Sequence, residues 1–195
     1  MANVDRPNGA IAVDNLGGPV VAKMNAYNVD SSNATAIFPG DFMILEADGN
    51  VAPYTSGGGN LIGVCAGIEV AAPTKEDGFL SDGNIGVQEY PGYLPASTAG
   101  VVYIIDSPDQ LFEVQSDGTS EAVDQGTNAD VTPGSGSTTT GRSAHEMSAT
   151  NGTAIAQLRL IRPVKRADND VSLANGRWVV KINEHQYQSV DLTGV

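Results

Sequence analysis

The chain has 195 residues, of which 41% are hydrophobic, with a formal net charge of −13, 23 glycines, 10 prolines and one cysteine. That length can bury one substantial core or two small ones, and no run approaches the ~20 apolar residues that a membrane-spanning helix needs. The excess of acid opposes binding to a phosphate backbone or an anionic membrane surface, so neither nucleic acid nor membrane is an expected partner.

Glycine, proline and short polar residues interrupt the chain too often for helices of ordinary length, which points to an all-β protein. The charge is uneven. Residues 1–141 carry 18 acidic side chains against Arg6, Lys23 and Lys75, whereas residues 142–195 carry seven basic against five acidic ones. The start, Met1-Ala2-Asn3-Val4-Asp5-Arg6-Pro7, lacks a basic segment followed by an apolar one, so synthesis in a cytoplasm is expected.

In residues 1–19 the apolar side chains Val4, Ile11, Val13 and Leu16 are too few and too irregular to close a core, while Pro7 and Gly17-Gly18 keep the segment extended or hinged. It reads as an extended N-terminal arm, or as a loose terminus, that gains order from a partner, with Arg6 available to an acidic group. On that reading, deleting residues 2–16 leaves thermal stability nearly unchanged. Val20 to Met24 is a short strand candidate, and Asn25 to Ala34 is polar enough to be a loop.

Phe42 to Ala47 is an apolar run of strand length, Asp48-Gly49-Asn50 supports a tight reversal, and Val51 resumes the extended pattern, which together predict a hairpin. After the flexible Ser56–Asn60, the run Leu61 to Val70 reads as a buried strand, with Gly63 and Gly67 where a side chain would obstruct a neighbour or where the strand bends. Ala72 to Gly92 reads as a long surface excursion with one weak strand at Ile85 to Gln88. Val101–Ile105 and Leu111–Gln115, separated by Asp106-Ser107-Pro108-Asp109, predict a second hairpin.

Ser116 to Thr153 is predicted as a long loop, with one helical turn at Ser143–Ser148. Ala154–Val164 and Arg177–Ile182 are strand candidates joined by Lys165–Asn169. The expected division is an arm (1–19), a β-rich barrel or tulip-like subdomain (20–92), and a second β subdomain (93–195) containing the long loop 116–153.

The search for chemistry returns little. Cys65 lies among apolar neighbours that would raise its pKa, so it is read as structural. His145 and His185 each have an adjacent glutamate, but neighbours on a strand point to opposite faces and no ligand cluster accompanies them, so both are read as surface residues. Asp168-Asn169-Asp170 lacks the glycine and final glutamate of a calcium loop, although adventitious calcium at clustered acids stays open. Gly57-Gly58-Gly59 lacks the following lysine of a phosphate loop, and neither Ser97 nor Ser135 sits in a nucleophile elbow. Asn33 and Asn151 match the glycosylation pattern, with no secretory signal to use it. Asp106 and Asp109 are the carboxylates a hydrolytic or carbohydrate-binding module would pair, and they also suit a turn. Arg159, Arg162, Lys165 and Arg166 form the one basic concentration, read as a solvated strand face or as an acid-seeking contact. Trp178 is assigned to the core. No catalytic residue, metal or cofactor is expected, and the chain is not expected to be an enzyme.

The segments ANVDRPNG, FPGDFMILEADGNV, LIGVCAGIEV, FEVQSDG, LRLIRPVKRADNDV and RWVVKINEHQ resemble structural proteins of tailed bacteriophages, and the Gly-Asp, strand, Asp-Gly turn, Ile-Gly-Val order is similar to the β-rich head-decoration, or cement, proteins among them. The resemblance implies a virion protein on the outer capsid surface that clamps neighbouring major capsid subunits, made in the host bacterial cytoplasm. Its partners would be the major capsid protein and neighbouring copies. A tail- or fibre-associated protein is the alternative, and a carbohydrate-binding module a more distant one. The residues expected at a partner interface are Val4, Arg6, Ile11, Val13, Leu16, Arg159 and Arg162.

Overall fold

The structure, a computed structural model, describes residues 3–18, 22–57, 59–70 and 92–188. It is all-β, with two antiparallel sheets that form a sandwich-like body. The strands are β1 (Ile11–Asn15), β2 (Asn25–Val29), β3 (Phe42–Leu45), β4 (Val51–Pro53), β5 (Gly63–Val70), β6 (Gly100–Ile105), β7 (Gln110–Gln115), β8 (Asn128–Thr132), β9 (Glu146–Gly152), β10 (Leu158–Pro163) and β11 (Arg177–Ile182). One sheet has the order β1-β7-β11-β10-β8-β9, the other β2-β6-β5-β3-β4.

Strand alternation places the core. In β3, β5 and β6 the adjacent pairs Phe42/Met43, Val64/Cys65 and Ile105/Ile104 split between two apolar clusters. The first member of each pair faces the six-stranded sheet and packs with Phe112, Val114, Leu158, Trp178 and Val180. The second faces away, into a smaller cluster with Ile37, Val51, Ile62, Leu94 and Val102. A sheet buried on both faces needs apolar residues at every position, which is why Leu61–Cys65 lacks alternation, whereas Ala66 and Glu69 further along are exposed. The five-stranded sheet also curls so that its edges approach, and Asn50 Nδ2, at the β3–β4 turn, donates to Asp30 Oδ2 just beyond β2.

The hairpin predicted from Phe42 to Val51 is present as β3–β4, with Met43 opposite Pro53 and Leu45 opposite Val51. Its turn uses Gly49 at φ 86° and the Asp48 carboxylate, which accepts from the Asn50 amide at 2.9 Å. The buried strand at Leu61–Val70 is β5. A Cβ on Gly63 would run into the Ile105 carbonyl oxygen, and the pairing with β6 shifts register between Cys65 and Gly67.

Several expectations are corrected. Val101–Ile105 and Leu111–Gln115 do not form a hairpin: β6 pairs with β2 and β5, β7 with β1 and β11, and residues 106–109 carry the chain from one sheet to the other. The turn signal at Pro108 was sound, but both flanking strands carry enough apolar surface to join separate sheets. The stretch Asn25–Ala34 begins with β2 rather than a loop. That strand is polar because it is an edge whose Asn25 and Tyr27 side chains hydrogen-bond Asp106. By contrast, Ala22–Met24 are not in a strand.

The predicted loop 116–153 contains β8 and β9, paired with each other and, through β8, with β10. Only Ala129, Val131 and Met147 in these strands enter the main core, too few for a recognisable pattern. Ser143–Ser148 makes no helical turn: Ser143 Oγ accepts from the His145 amide, and Glu146 opens β9. Of the excursion Ala72–Gly92, only Gly92 lies within the described residues.

Residues 3–18, expected to await a partner, lie against this chain's own body. β1 pairs with β7, Ala10 is buried in the main core, and the Asn3 amide nitrogen donates to the Asp170 and Ala174 carbonyls at 2.7 and 2.9 Å. The segment crosses the body at two glycines. Gly9 has φ 69° and Gly40 has φ 99°, and a Cβ on Gly9 would collide with the Gly40 backbone and lie 2.6 Å from Ser143 Cβ. The Ala10 amide donates to the Gly40 carbonyl and the Gly40 amide to the Cys65 carbonyl, at 2.9 and 2.7 Å. Both strain and overlap therefore oppose any larger residue here. Gly9→Ala is expected to lower unfolding free energy by about 2 kcal/mol or more in urea melts, whereas Gly18→Ala, which meets nothing within 4 Å, is expected to leave it unchanged. Deleting residues 2–16 is likewise expected to lower the thermal midpoint, because it removes a paired strand.

Candidate interaction surface

Of the arm residues singled out from the sequence, Ile11, Val13 and Leu16 lie along one edge of the six-stranded sheet, while Val4 and Arg6 line a cleft with Arg166 and Arg177. β1 is the outermost strand of that sheet, and among the described residues the side away from β7 has no ladder partner. Ile11 and Leu16 are exposed there, Val13 sits at a register shift between Ala12 and Asp14, and Val4 is 74% exposed further back. A cleft of about 530 Å3 opens beside the strand, between Ile11 and Ala12 on one side and Val64, Cys65 and Ala66 of β5 on the other.

The basic residues divide. Arg162 reaches β1, pairing with Asp14 at 3.1 Å, while Arg159 turns to Asn128 of β8 and does not join the arm. Asp14 is held below the usual carboxylate range, first by the Asn15 amide and then by Arg162. Arg166 and Arg177 share the Glu113 carboxylate at 3.0 and 3.5 Å, Arg166 also pairs with Asp168, and Lys181 lies 3.4 Å from Asp109. The outer face of this sheet is thus laced with ion pairs, most of them half-exposed and individually weak.

His145 and His185 are buried, not on the surface. His145 closes a cavity of about 310 Å3 that is also lined by Phe38, Asp41, Tyr54, Ser135 and Thr138. Its Nδ1 accepts from the Phe42 amide at 3.1 Å, which places its proton on Nε2, 3.6 Å from Asp41 Oδ1. Asp41 Oδ2 accepts from the Phe38 amide at 2.8 Å. Burial raises the Asp41 pKa to about 6, against the lowering effects of Ser143 and the Phe38 amide, and burial lowers that of His145 to about 4. At neutral pH a charged carboxylate and a neutral imidazole lie side by side. With Nδ1 bonded to backbone and Nε2 turned to Asp41, this imidazole offers no free basic nitrogen to a nucleophile. Cys65 is buried as expected, and its thiol is pushed up by burial and by the Asp41 charge.

Asp106 and Asp109 do not act as a pair. Asp106 accepts from Asn25 Nδ2 and from the Tyr27 hydroxyl at 2.6 Å, whereas Asp109 faces Lys181. Asp168 goes to Arg166, Asp170 accepts from Ser172, and Asn169 bonds the Val164 and Arg177 carbonyls, so that triplet serves its own loop. Among the described residues no group of three or more His, Cys, Asp or Glu could hold a metal ion. Trp178 is buried, its Nε1 donating to Ser120 Oγ at 2.7 Å.

Comparison with known proteins finds no matching family, no similar curated protein and no similar solved structure.

The buried pair sets a pH dependence. Asp41 takes up its proton near pH 6 when folded and near 3.8 when unfolded, so its contribution to stability falls as pH rises through that window. His145 acts in the opposite sense, its contribution being lost as pH falls from 6.5 to about 4. Asp41→Asn removes only the first effect. The variant's unfolding free energy relative to the parent is expected to improve by about 1–3 kcal/mol between pH 4 and pH 7.5 in urea melts. An offset that stays constant with pH would show that burial does not penalise the carboxylate.

Proposed function

We propose that the chain is a non-catalytic structural protein of a phage virion that binds the outer surface of the head and stabilises contacts between major capsid subunits. The observation that carries the reading from geometry is the edge of β1, unpaired among the described residues and flanked by exposed Ile11 and Leu16 and by the adjoining cleft. An open edge fixed to a rigid body accepts a neighbour's extended segment through main-chain hydrogen bonds, while the cleft receives alternate side chains. The resemblance of the short segments to decoration proteins supports the same reading.

The test is rebinding. Purified chain mixed with heads stripped of it is expected to saturate them at on the order of hundreds of copies per particle, as symmetric coverage of a capsid requires, with density on the outer surface in cryo-microscopy. A few copies per particle, at the tail, would favour the tail-associated alternative; density inside the head would sink both. Ile11→Glu, which charges an exposed apolar side chain of that edge, is expected to weaken rebinding at least tenfold while the variant still unfolds cooperatively.

A further inference from the structure

The cavity closed by His145 has a graded lining. Thr35, Ser135 and Thr138 are exposed and mark its mouth, whereas Phe38, Asp41 and Tyr54 are buried and form its floor. Pro53 and Pro133 add apolar wall to the two aromatic rings. The Phe38 ring is held from two sides: it stacks on Tyr93 with centroids 5.0 Å apart, and Gly136 passes so close that a Cβ there would overlap it.

Among the described lining residues Asp41 is the one charged side chain at neutral pH, and it is incompletely paired. Its Oδ2 accepts from the Phe38 amide at 2.8 Å, but its buried Oδ1 has no hydrogen-bond partner among the described residues. His145 Nε2 stands 3.6 Å from Oδ1, too far for a hydrogen bond, and Ser143, which favours the charge, makes none to that oxygen. A buried carboxylate short of a donor costs free energy that a bound cation would recover, and the net charge of −13 draws cations to the chain. Apolar walls leading to a carboxylate fit an apolar stem with a compact positive tip. A guanidinium fork fits less well, because Oδ2 is already engaged and two parallel acceptors are not on offer. A neutral hydroxyl ligand would donate to Oδ1 but leave the charge uncompensated.

We propose that this cavity binds a primary alkylammonium group, its stem against Phe38, Pro53 and Tyr54 and its ammonium donating to Asp41 Oδ1. The source of that group is a lysine side chain of another protein or a free amine. The inference stands on the cavity and does not use the capsid reading, so a chain that fails to rebind heads leaves it untouched. Asp41 titrates near pH 6 and an alkylammonium stays charged well above that, so binding is expected to tighten about tenfold from pH 5 to pH 7.5. The titratable groups that face Asp41 are His145, just before β9, and Cys65 of β5; both are largely neutral across that range and leave the sign unaltered.

The test is a titration of the isotope-labelled full chain at pH 7.5, followed by nuclear magnetic resonance at the backbone amides of Phe38, Phe42 and His145. The probes are n-butylammonium chloride, Nα-acetyl-lysine methylamide, n-butanol, methyl glucoside and potassium chloride. The two ammonium compounds are expected to shift these signals saturably, and the other three to bind at least tenfold more weakly. A response to the lysine compound supports a protein side chain as the source, and a response to butylammonium alone supports a free amine. Asp41→Asn, which keeps the shape of the side chain, should weaken both compounds at least tenfold and remove the pH dependence. Ser135→Trp, which crowds the mouth without touching the carboxylate, should weaken them at least tenfold with its unfolding midpoint unchanged. No saturable shift, an equal response to butanol, glucoside or potassium, or amine binding that survives either variant would each overturn the proposal.

Discussion

The fold depends on one sheet being buried on both of its faces. Successive side chains of a strand point in opposite directions, so β3, β5 and β6 serve two cores where both parities are apolar, as at Phe42-Met43, Val64-Cys65 and Ile104-Ile105. Phe42, Val64 and Ile105 pack on the six-stranded sheet, and Met43, Cys65 and Ile104 fill the concave side. A slip by one residue would exchange the two sets, and Gly63 narrows the choice further, because only a glycine there lets the Ile105 carbonyl approach so closely. The other sheet is held more loosely by this criterion. Its inner face is apolar through Phe112, Val114, Trp178 and Val180, while its outer face is a field of ion pairs. The surface most tolerant of change is therefore the one where the basic residues collect.

The crossing of Gly9 over Gly40 ties the N-terminal segment into this arrangement. Without side chains at the crossing, the Gly40 amide and carbonyl link β5 to the start of β1, so the strand that offers an open edge is anchored by the doubly buried sheet. Order in the segment comes from its own body, and no partner is needed to meet that entropy cost. A docked segment would then meet a pre-organised edge, which lowers the cost of association.

Local signals in the sequence carried the strands with dense apolar content. Phe42–Val51, Leu61–Val70 and Arg177–Ile182 were legible because each supplies consecutive or alternating core residues, and Asp48-Gly49-Asn50 named its own turn. β2, β8 and β9 were not, because these strands, at a sheet edge or next to one, carry one or two buried core residues each among polar ones. Pairing was less legible still. Nothing local distinguishes a hairpin from two strands that part into different sheets after Asp106–Asp109. The interface residues fared unevenly for the same reason: Ile11, Val13 and Leu16 share an edge, Val4 and Arg6 lie instead against Arg166 and Arg177, and Arg159 and Arg162 fall on opposite sides of a register shift after Leu160 and part ways. The burial of His145 had no local signal, since its partners Asp41 and Phe42 are over a hundred residues away.

That burial has a structural logic. The two sheets share no ladder between named strands, and apolar packing alone fixes distance better than angle because it has no direction. The directional contacts between them are few and come from the buried or half-buried polar side chains. His145 Nδ1 accepts from the Phe42 amide, Gln157 accepts from Val131 and donates to the Tyr54 hydroxyl, and Gln186 both accepts from and donates to the Leu45 backbone. Beside these, Leu61 donates to the Glu184 carbonyl and accepts from the Gln186 amide. Gln157 thus bridges Val131 of the six-stranded sheet to Tyr54 beside β4, and the other contacts join β3 or Leu61, just before β5, to segments outside the five-stranded sheet. An apolar residue in place of His145, Gln157 or Gln186 would leave a backbone amide unpaired. His145, which looked like leftover chemistry in the sequence, is thus one of the residues that set how one sheet sits on the other. The cleft beside β1 keeps its shape only as long as they hold, since one of its walls belongs to each sheet.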